Sequence, residues 1–383
     1  MELHKQLKLV PLKISEDQNG SYIVKDIEKN EYYEMPKLCV DAIRLLEAGT
    51  SIDEVETILI REYPNEDINM TEFTQQLIDL ELVANMSGKE LQSSTKKVKS
   101  VKDSFAWITP RFAKLFFNKK MMNLYMVLAI FNVAFFLFKS NAVPQYKDIF
   151  ITPYMFLNTL MWIVLTFFTI LIHEMGHVLA ARAKGLPTHL SISNRLFLVV
   201  VETDLTAAWE LQPKERSRLY LAGLCFDQLV LSLGIMGQLY FQESSLLFAL
   251  SRLLVLDAMI RILYQTAVFL KTDLYYVIEN RTGCYNLQER SMALLRNKGN
   301  QTDEPGWLKY FGLLNMSGVF VVIGLGIFYF IPQIYFSLQQ YAIPNLAKGS
   351  FYFWDGVVFI GQLILFVVFL IVALVTNRIF KKV

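Results

Sequence analysis

Long apolar runs separated by short polar segments dominate the chain from residue 121 onward. Most of these runs are close to or longer than the roughly 20 residues that a helix needs to cross a bilayer. The fourth run is too long for one straight crossing and contains several charged side chains, so we expect it to be broken or tilted. The pattern predicts about six transmembrane helices, at 121–138, 155–180, 219–241, 246–278, 311–336 and 354–377.

In the first 86 residues, the apolar stretches are shorter and more polar residues lie between them. The stretch "SYIVKDIEKNEYYEM" contains two β-rich runs with a polar turn between them, which is typical of paired strands. Three amphipathic stretches with helical spacing follow, the first beginning with a proline and the second with a serine N-cap. They read "PKLCVDAIRLLEAG", "SIDEVETILIREY" and "NMTEFTQQLIDLELV". We therefore predict a small α+β, winged-helix-like domain at residues 1–86.

Two further segments complete the predicted organisation. Residues 87–120 combine a polar linker, "SGKELQSSTKKVKS", with "FAWITPRFAKLFFNKK", whose aromatic and basic side chains suit the surface of anionic lipid. Residues 121–383 form the membrane-embedded domain. Within it, "THLSISNRLFLVVVETDLTAAWEL" is rich in β-branched residues and predicts a short β-hairpin after the second helix. The predicted fold class is thus an all-α polytopic membrane protein with that hairpin and a small N-terminal α+β domain.

Composition agrees with an integral membrane protein and excludes several other classes. Hydrophobic residues make up 54% of the chain and the mean hydropathy is +0.34, above ordinary soluble usage. The three cysteines are widely spaced, so we expect neither a disulfide framework nor a paired-cysteine metal site. Basic residues cluster at the ends of apolar runs and form no stripe, so nucleic acid is not an expected partner.

The distribution of charge predicts the topology. Residues 1–90 contain 19 acidic and 9 basic side chains, whereas the remainder contains 16 acidic and 28 basic ones. If the N-terminus is cytosolic, six crossings place 22 lysines and arginines in the cytosolic connections and 3 in the outer ones. The positive-inside rule therefore favours a multi-pass cell-membrane protein with both termini in the cytosol.

The second apolar run ends in "LIHEMGHVLAARAKG", which carries the most informative chemistry of the chain. His173 and His177 are four residues apart, so both imidazoles project from one face of a helix and can share a metal ion. Glu174 lies beside them, where it can act as a base without being a ligand. Two imidazole ligands favour zinc. Ionisable side chains within a membrane are costly and are rarely found there without a partner. We interpret Arg182 and Lys184 as charges at the helix end, without a chemical role.

These residues resemble those of site-2-protease-type intramembrane zinc metalloproteases, in particular the peptide zinc metalloproteases found near bacteriocin and epipeptide-type gene clusters. The resemblance covers about residues 120–380. In that family a later helix supplies an aspartate as the third zinc ligand, within a motif that often ends in Asp-Gly. The matching stretch "FLKTDLYYVIEN" nominates Asp273, although Leu274 replaces the glycine and "YQTAVF" replaces an upstream Asn-Pro pair. One Zn²⁺ per chain is implied.

Two other carboxylates are candidates for the third ligand. Asp227, in "AGLCFDQLV", stands where the family has an asparagine. It could position the active site, act as a metal ligand, or be a hydrogen-bonded polar residue inside the helix bundle. Asp257 lies four residues before Arg261, and we interpret the two as an intrahelical ion pair. We expect His189, after Pro187, to be a surface histidine.

The N-terminal stretch resembles the PqqD-like leader-peptide recognition domains that accompany ribosomally made, modified peptides. The resemblance depends on the element order and on "YEMPKLCVDAIRLLEAGTSIDEV" and "LIDLELV". It implies that the N-terminal domain binds part of a peptide substrate. A small precursor peptide or membrane-associated peptide, the lipid bilayer, and an ABC exporter or a peptide-modifying enzyme of the same pathway are the expected partners.

Together, these features predict a zinc-dependent metalloendopeptidase, with Glu174 as the catalytic base and His173, His177 and Asp273 as the metal ligands. The predicted reaction is hydrolysis of a peptide bond near the cytosolic face. Two other functions are compatible with the same sequence. One is regulated proteolysis of a membrane-anchored regulator, and the other is a non-catalytic export or immunity component for a peptide antibiotic.

Overall fold

A computed structural model describes residues 7–86, 89–90, 103–195, 198–296, 305–349 and 351–380. The chain divides into two compact units. One unit comprises Met1–Asp103 together with Thr206–Arg216, and the other comprises Ser104–Leu205 together with Ser217–Val383. Of the predicted linker and interfacial segment at 87–120, residues 87–88 and 91–102 lie outside the described residues.

The first unit is a small α+β domain, as the sequence predicts. Its strands form two antiparallel sheets, in the orders β1-β5-β6 and β2-β3-β4. Its elements are β1 (Leu7–Leu9), β2 (Leu12–Glu16), β3 (Ser21–Asp26), β4 (Glu31–Pro36), α1 (Lys37–Glu47), α2 (Ile52–Glu62), α3 (Met70–Asp79), β5 (Val83–Met86) and β6 (Lys89–Glu90). The two predicted strands and the three predicted helices are all present.

Local signals explain where the helices of this unit begin. Ser51 and Glu54 form a capping box at the start of α2, and the Asn69 side chain accepts a hydrogen bond from the backbone N–H of Glu72 at the start of α3. Both devices satisfy N–H groups that a helix leaves unpaired at its first turn. The apolar faces of the helices then close one core, which contains Val24, Val40 and other fully buried side chains.

The segment Thr206–Arg216 packs within this first unit although it lies far away in sequence. Lys13, Lys25 and Tyr32 are aligned across β2, β3 and β4, and all three contact Glu210, at 3.6, 2.6 and 2.9 Å. Arg216 is fully buried and lies 2.6 Å from Asp17. The charges of one sheet face therefore hold the segment that follows the predicted hairpin.

The second unit is predominantly helical and contains that hairpin. β7 and β8 pair antiparallel, with Leu190 opposite Thr203. The elements, including α7, of which Pro213–Arg216 belong to the first unit, are α4 (Pro110–Phe116), α5 (Lys119–Phe138), α6 (Met155–Ala183), β7 (Leu190–Arg195), β8 (Leu198–Thr203), α7 (Pro213–Tyr220), α8 (Ala222–Tyr240), α9 (Leu246–Gln265), α10 (Asp273–Thr282), α11 (Leu287–Leu295), α12 (Trp307–Leu325), α13 (Ile331–Ser337), α14 (Ile343–Leu346) and α15 (Phe351–Phe380). The hairpin prediction is confirmed.

Five helices of the described residues are long and apolar enough to cross a membrane. They are Pro110–Phe138, Met155–Ala183, Pro213–Tyr240, Trp307–Leu346 and Phe351–Phe369. Many of their apolar side chains are exposed, which suits contact with lipid. The chain is therefore a polytopic membrane protein. α9 has 20 residues but contains Arg252, Asp257 and Arg261, and it is not among the five.

The predicted interruption of the fourth apolar run is present. α9 ends at Gln265, a short 3₁₀ turn follows, and Lys271 has the left-handed φ of 52° before α10 begins at Asp273. This conformation costs a non-glycine residue of the order of 1–2 kcal/mol. The left-handed residue lies in the turn that precedes the new helix beginning at Asp273.

Arg182 lies in the last turn of α6, at the helix end where the sequence interpretation placed it. The sequence did not predict its burial, since only 8% of the residue is exposed. Its guanidinium donates hydrogen bonds to the backbone oxygens of Ile108, Leu186 and Ala106. Because a buried guanidinium needs such acceptors, Arg182 holds the segment before α4 against the end of α6.

Candidate metal centre

α6 places His173, Glu174 and His177 on one side of a buried helical turn. The exposed fractions of the three residues are 5%, 7% and 3%. The preceding apolar residues favour a continuous helix, and the i, i+4 spacing brings both imidazoles to the same face. The ring centroids of His173 and His177 are 5.1 Å apart.

Asp273 is brought to the same two imidazoles from the first turn of α10. Its Oδ2 lies 3.0 Å from His173 Nε2 and 3.3 Å from His177 Nε2. The ligand atoms of these three residues all lie within 4.8 Å of one another, and they form one candidate metal group in the described part of the chain. The structure thus brings together the three predicted ligands across 100 residues of sequence.

The arrangement fits a small tetrahedral cation. Ligand atoms about 2.0–2.1 Å from a zinc ion are separated from each other by about 3.3 Å in a tetrahedron, and the distances from Asp273 Oδ2 match this spacing. Gly223 of α8 keeps the space beside the nitrogens free. A Cβ at that position would lie 2.3 Å from His173 Nε2 and 2.5 Å from His177 Nε2.

The outer ring nitrogens of both histidines have acceptors. His173 Nδ1 lies 2.8 Å from Asp227 Oδ2, and His177 Nδ1 lies 2.9 Å from the backbone oxygen of Leu219. Since these oxygens accept, each Nδ1 donates a proton to its partner, and each Nε2 faces the shared space beside Asp273. Such partners fix the tautomer and the ring orientation of metal-binding histidines.

Asp227 is therefore placed to orient the His173 ring, which is one of the alternatives that the sequence left open. Its Oδ1 accepts a hydrogen bond from Arg261 Nε at 2.7 Å, and the residue is fully buried. Arg261 also reaches Asp257 at 3.2 Å, as expected for the i, i+4 ion pair. The oxygens of Asp257 bind Thr166 and Thr169 as well, so both carboxylates have partners other than the shared space.

Gln265, at the end of α9, holds Asp273 from two sides. Its Nε2 donates to Asp273 Oδ2 and its Oε1 accepts from the Asp273 backbone N–H, both at 3.1 Å. The Thr272 hydroxyl donates to the Gln265 backbone oxygen at 2.7 Å. Sequence reasoning missed Gln265, which lies in the stretch "YQTAVF".

Glu174 is held by the end of the hairpin. The Thr203 backbone N–H and hydroxyl donate to Glu174 Oε2 at 2.8 and 2.7 Å. Sequence reasoning also missed Thr203, because nothing local singles out a threonine 29 residues away. His189, expected at the surface, is partly exposed and lies 3.4 Å from Asp204.

Comparison with known proteins finds no matching family model, no matching curated protein and no matching solved structure.

Proposed function

We propose that the chain is an intramembrane zinc metalloendopeptidase. One observation carries the proposal: two imidazoles and one carboxylate converge on a shared space, with a glutamate beside them that is not part of the group. Three protein ligands with one position left open are typical of catalytic zinc sites, whereas structural sites use four. His173, His177 and Asp273 would hold one Zn²⁺ per chain.

Glu174 moves the proton in this proposal. Bound zinc acidifies water and polarises a carbonyl. Glu174 accepts a proton from the attacking water on its carboxylate and then returns it to the leaving amine of the cleaved peptide bond. Asp227 and Gln265 orient His173 and Asp273 through their hydrogen bonds.

We further propose that the substrate is a small precursor peptide or membrane-associated peptide. The hairpin formed by β7 and β8 ends at Thr203, which contacts Glu174. A peptide that adds to the hairpin as an extended strand exposes its carbonyls to this region, which a helical peptide cannot do. The N-terminal domain has the strands and helices expected of a PqqD-like domain, and we assign it the recruitment of the peptide.

The sixth membrane crossing is also a proposal. We assign it to α9, whose three charged residues are buried or paired: Arg252 with Asp148, and Arg261 with Asp227 and Asp257. Charges inside a membrane bundle are expected to be paired in this way. Six crossings and the excess of basic residues favour cytosolic N- and C-termini. Reporter fusions at both termini test this, and opposite locations of the two ends would contradict it.

The decisive experiment compares wild type with Glu174→Gln. Each is co-expressed with candidate precursor peptides from neighbouring genes, and processing is followed by mass spectrometry. We expect wild type to cleave, and the variant to lose at least about 100-fold in rate, since general-base catalysis contributes 10²–10⁴-fold, while its zinc content stays at one per chain. Cleavage that persists in Glu174→Gln would contradict the proposed protease.

The ligand set has a separate test. His177→Ala and Asp273→Ala are each expected to lower the zinc content of the purified protein, whereas Asp257→Asn, which alters a carboxylate outside the group, is expected to retain zinc. Full zinc content in Asp273→Ala would instead assign the third ligand to another carboxylate. Deletion of residues 1–90 is expected to leave zinc bound but to weaken cleavage of the full precursor.

A further inference from the structure

The last residue of β8 contacts the glutamate beside the metal group in three ways. The Thr203 backbone N–H and its hydroxyl both donate to Glu174 Oε2, at 2.8 and 2.7 Å. The same hydroxyl lies 3.2 Å from the Glu174 backbone oxygen. A threonine hydroxyl has one proton, and the shorter contact to the charged oxygen takes it, because hydrogen bonds to ionised acceptors are the stronger ones.

Thr203 is itself fixed by contacts that do not involve Glu174. It pairs with Leu190 at the open end of the hairpin. The next residue, Asp204, donates its backbone N–H to the His189 oxygen and accepts from the Thr188 hydroxyl, both at 2.8 Å. Thr188 is buried, with 1% exposed. The donors on Glu174 are therefore part of a closed turn whose position is set by its own hydrogen bonds.

We propose that Thr203 is a positioning residue for Glu174, an inference that rests on the proposed protease function. A glutamate on a helix has several rotamers, and two donors on the same oxygen select one of them. Both bonds fall on Oε2, which leaves Oε1 as the oxygen that receives the proton. The same bonds keep the carboxylate from becoming a fourth protein ligand, since glutamate oxygens also bind zinc.

The proposal predicts a specific kinetic effect of the hydroxyl. Thr203→Val removes it and keeps the backbone N–H and the β-branched shape, so kcat is expected to fall by roughly 10–100-fold, the usual effect of losing an outer-shell partner. KM and zinc content are expected to be unchanged, and Thr203→Ser is expected to restore kcat. The matched control is Thr159→Val, which removes a hydroxyl of similar burial from α6, where it donates to the Met155 backbone oxygen.

A second measurement does not depend on activity. With Co²⁺ in place of Zn²⁺, the visible absorption reports the number and the kind of ligands. In Thr203→Val, Glu174 keeps one of its two donors and is expected to take the open position of the metal ion, which would shift the absorption bands. The double variant with Glu174→Gln is expected to keep the wild-type spectrum.

The outcomes separate this inference from the proposed function. An unchanged spectrum together with an unchanged kcat in Thr203→Val would overturn the positioning role, as would equal losses in Thr203→Val and Thr203→Ser. If wild type does not cleave, or Glu174→Gln cleaves equally well, the protease proposal fails. The cobalt spectra then still decide whether Thr203 restrains Glu174.

Discussion

His173 and His177 depend on small neighbours as much as on polar partners. Gly176 and Gly223 lie in the contact between α6 and α8. A Cβ on Gly176 would lie 2.6 Å from the Ala222 oxygen, and one on Gly223 would meet both imidazoles. Small residues at such crossings allow helices to approach closely within a membrane. At the residue scale, the candidate site therefore requires a residue without a side chain at both position 176 and position 223.

Gly223→Ala is expected to abolish zinc binding. The added Cβ would lie within 2.5 Å of both Nε2 atoms, so the rings must rotate away from Asp273. Overpacking of this kind costs roughly 1–3 kcal/mol of stability, but the loss of zinc should be complete in protein that still folds. Metal analysis of the purified variant measures this.

Gly324→Ala is the matched control, because a Cβ there meets no atom within 4 Å. A full zinc complement in Gly223→Ala would show that α8 can move away without disturbing the site.

At the scale of elements, α6 is supported at its first turn by a distant helix. Asp355 of α15 is buried, and its carboxylate accepts hydrogen bonds from the backbone N–H groups of Met155 and Phe156, at 2.9 and 2.7 Å. Asn345 donates to the same carboxylate at 3.1 Å. The first N–H groups of a helix have no partner within it, so an aspartate from elsewhere caps the helix that carries His173.

Asp355→Ala is expected to destabilise the membrane domain. It leaves the N–H groups of Met155 and Phe156 without this acceptor, and the first of these residues is buried. An unsatisfied buried N–H costs about 1–3 kcal/mol, so the thermal unfolding midpoint in detergent should fall by several degrees. Asp355→Asn keeps one acceptor oxygen and should lie between wild type and Asp355→Ala. An unchanged midpoint in Asp355→Ala would mean that the helix end finds another acceptor.

At the scale of the whole molecule, charge has a different use in each unit. In the membrane unit, buried charges are paired with each other, as in the chain from Asp227 through Arg261 to Asp257. In the first unit, Glu210 is partly exposed, forms ion pairs with Lys13 and Lys25, and accepts a hydrogen bond from Tyr32. Burial acts to raise the pKa of Glu210, but the hydrogen bonds from Lys25 and Tyr32 outweigh it and hold that pKa below its ordinary value of 4.5.

The contribution of Glu210 to stability is expected to depend on pH. Because its pKa is lower in the folded chain than in the unfolded one, the stabilisation is complete above pH 4.5 and is lost as the pH falls through the folded pKa. The difference in thermal midpoint between wild type and Glu210→Gln should be present near neutral pH and should shrink progressively below pH 4.5. Glu66→Gln, at an exposed position, is the control. A difference that stays constant down to the lowest pH would contradict the ionic contribution.

Several features of this protein follow from the sequence because they depend on neighbouring residues. Apolar runs and amphipathic spacing predicted the long helices, the three helices of the first unit, the hairpin and a break or tilt in the fourth apolar run. The i, i+4 spacing placed His173 and His177 on one face, and the resemblance to zinc metalloproteases nominated Asp273. The catalytic role, the zinc and the peptide substrate stay predictions.

Tertiary structure alone decided the surroundings of these residues. Asp227 meets His173 across 54 positions of sequence, and Thr203 meets Glu174 across 29. Gln265 meets Asp273 only because the chain turns at Lys271. The burial of Arg182 escaped the sequence for the same reason, since two of its three acceptors lie in a segment more than 70 residues earlier. Helical periodicity encodes which face a side chain occupies, but which group meets it there depends on long-range packing, which no local pattern records.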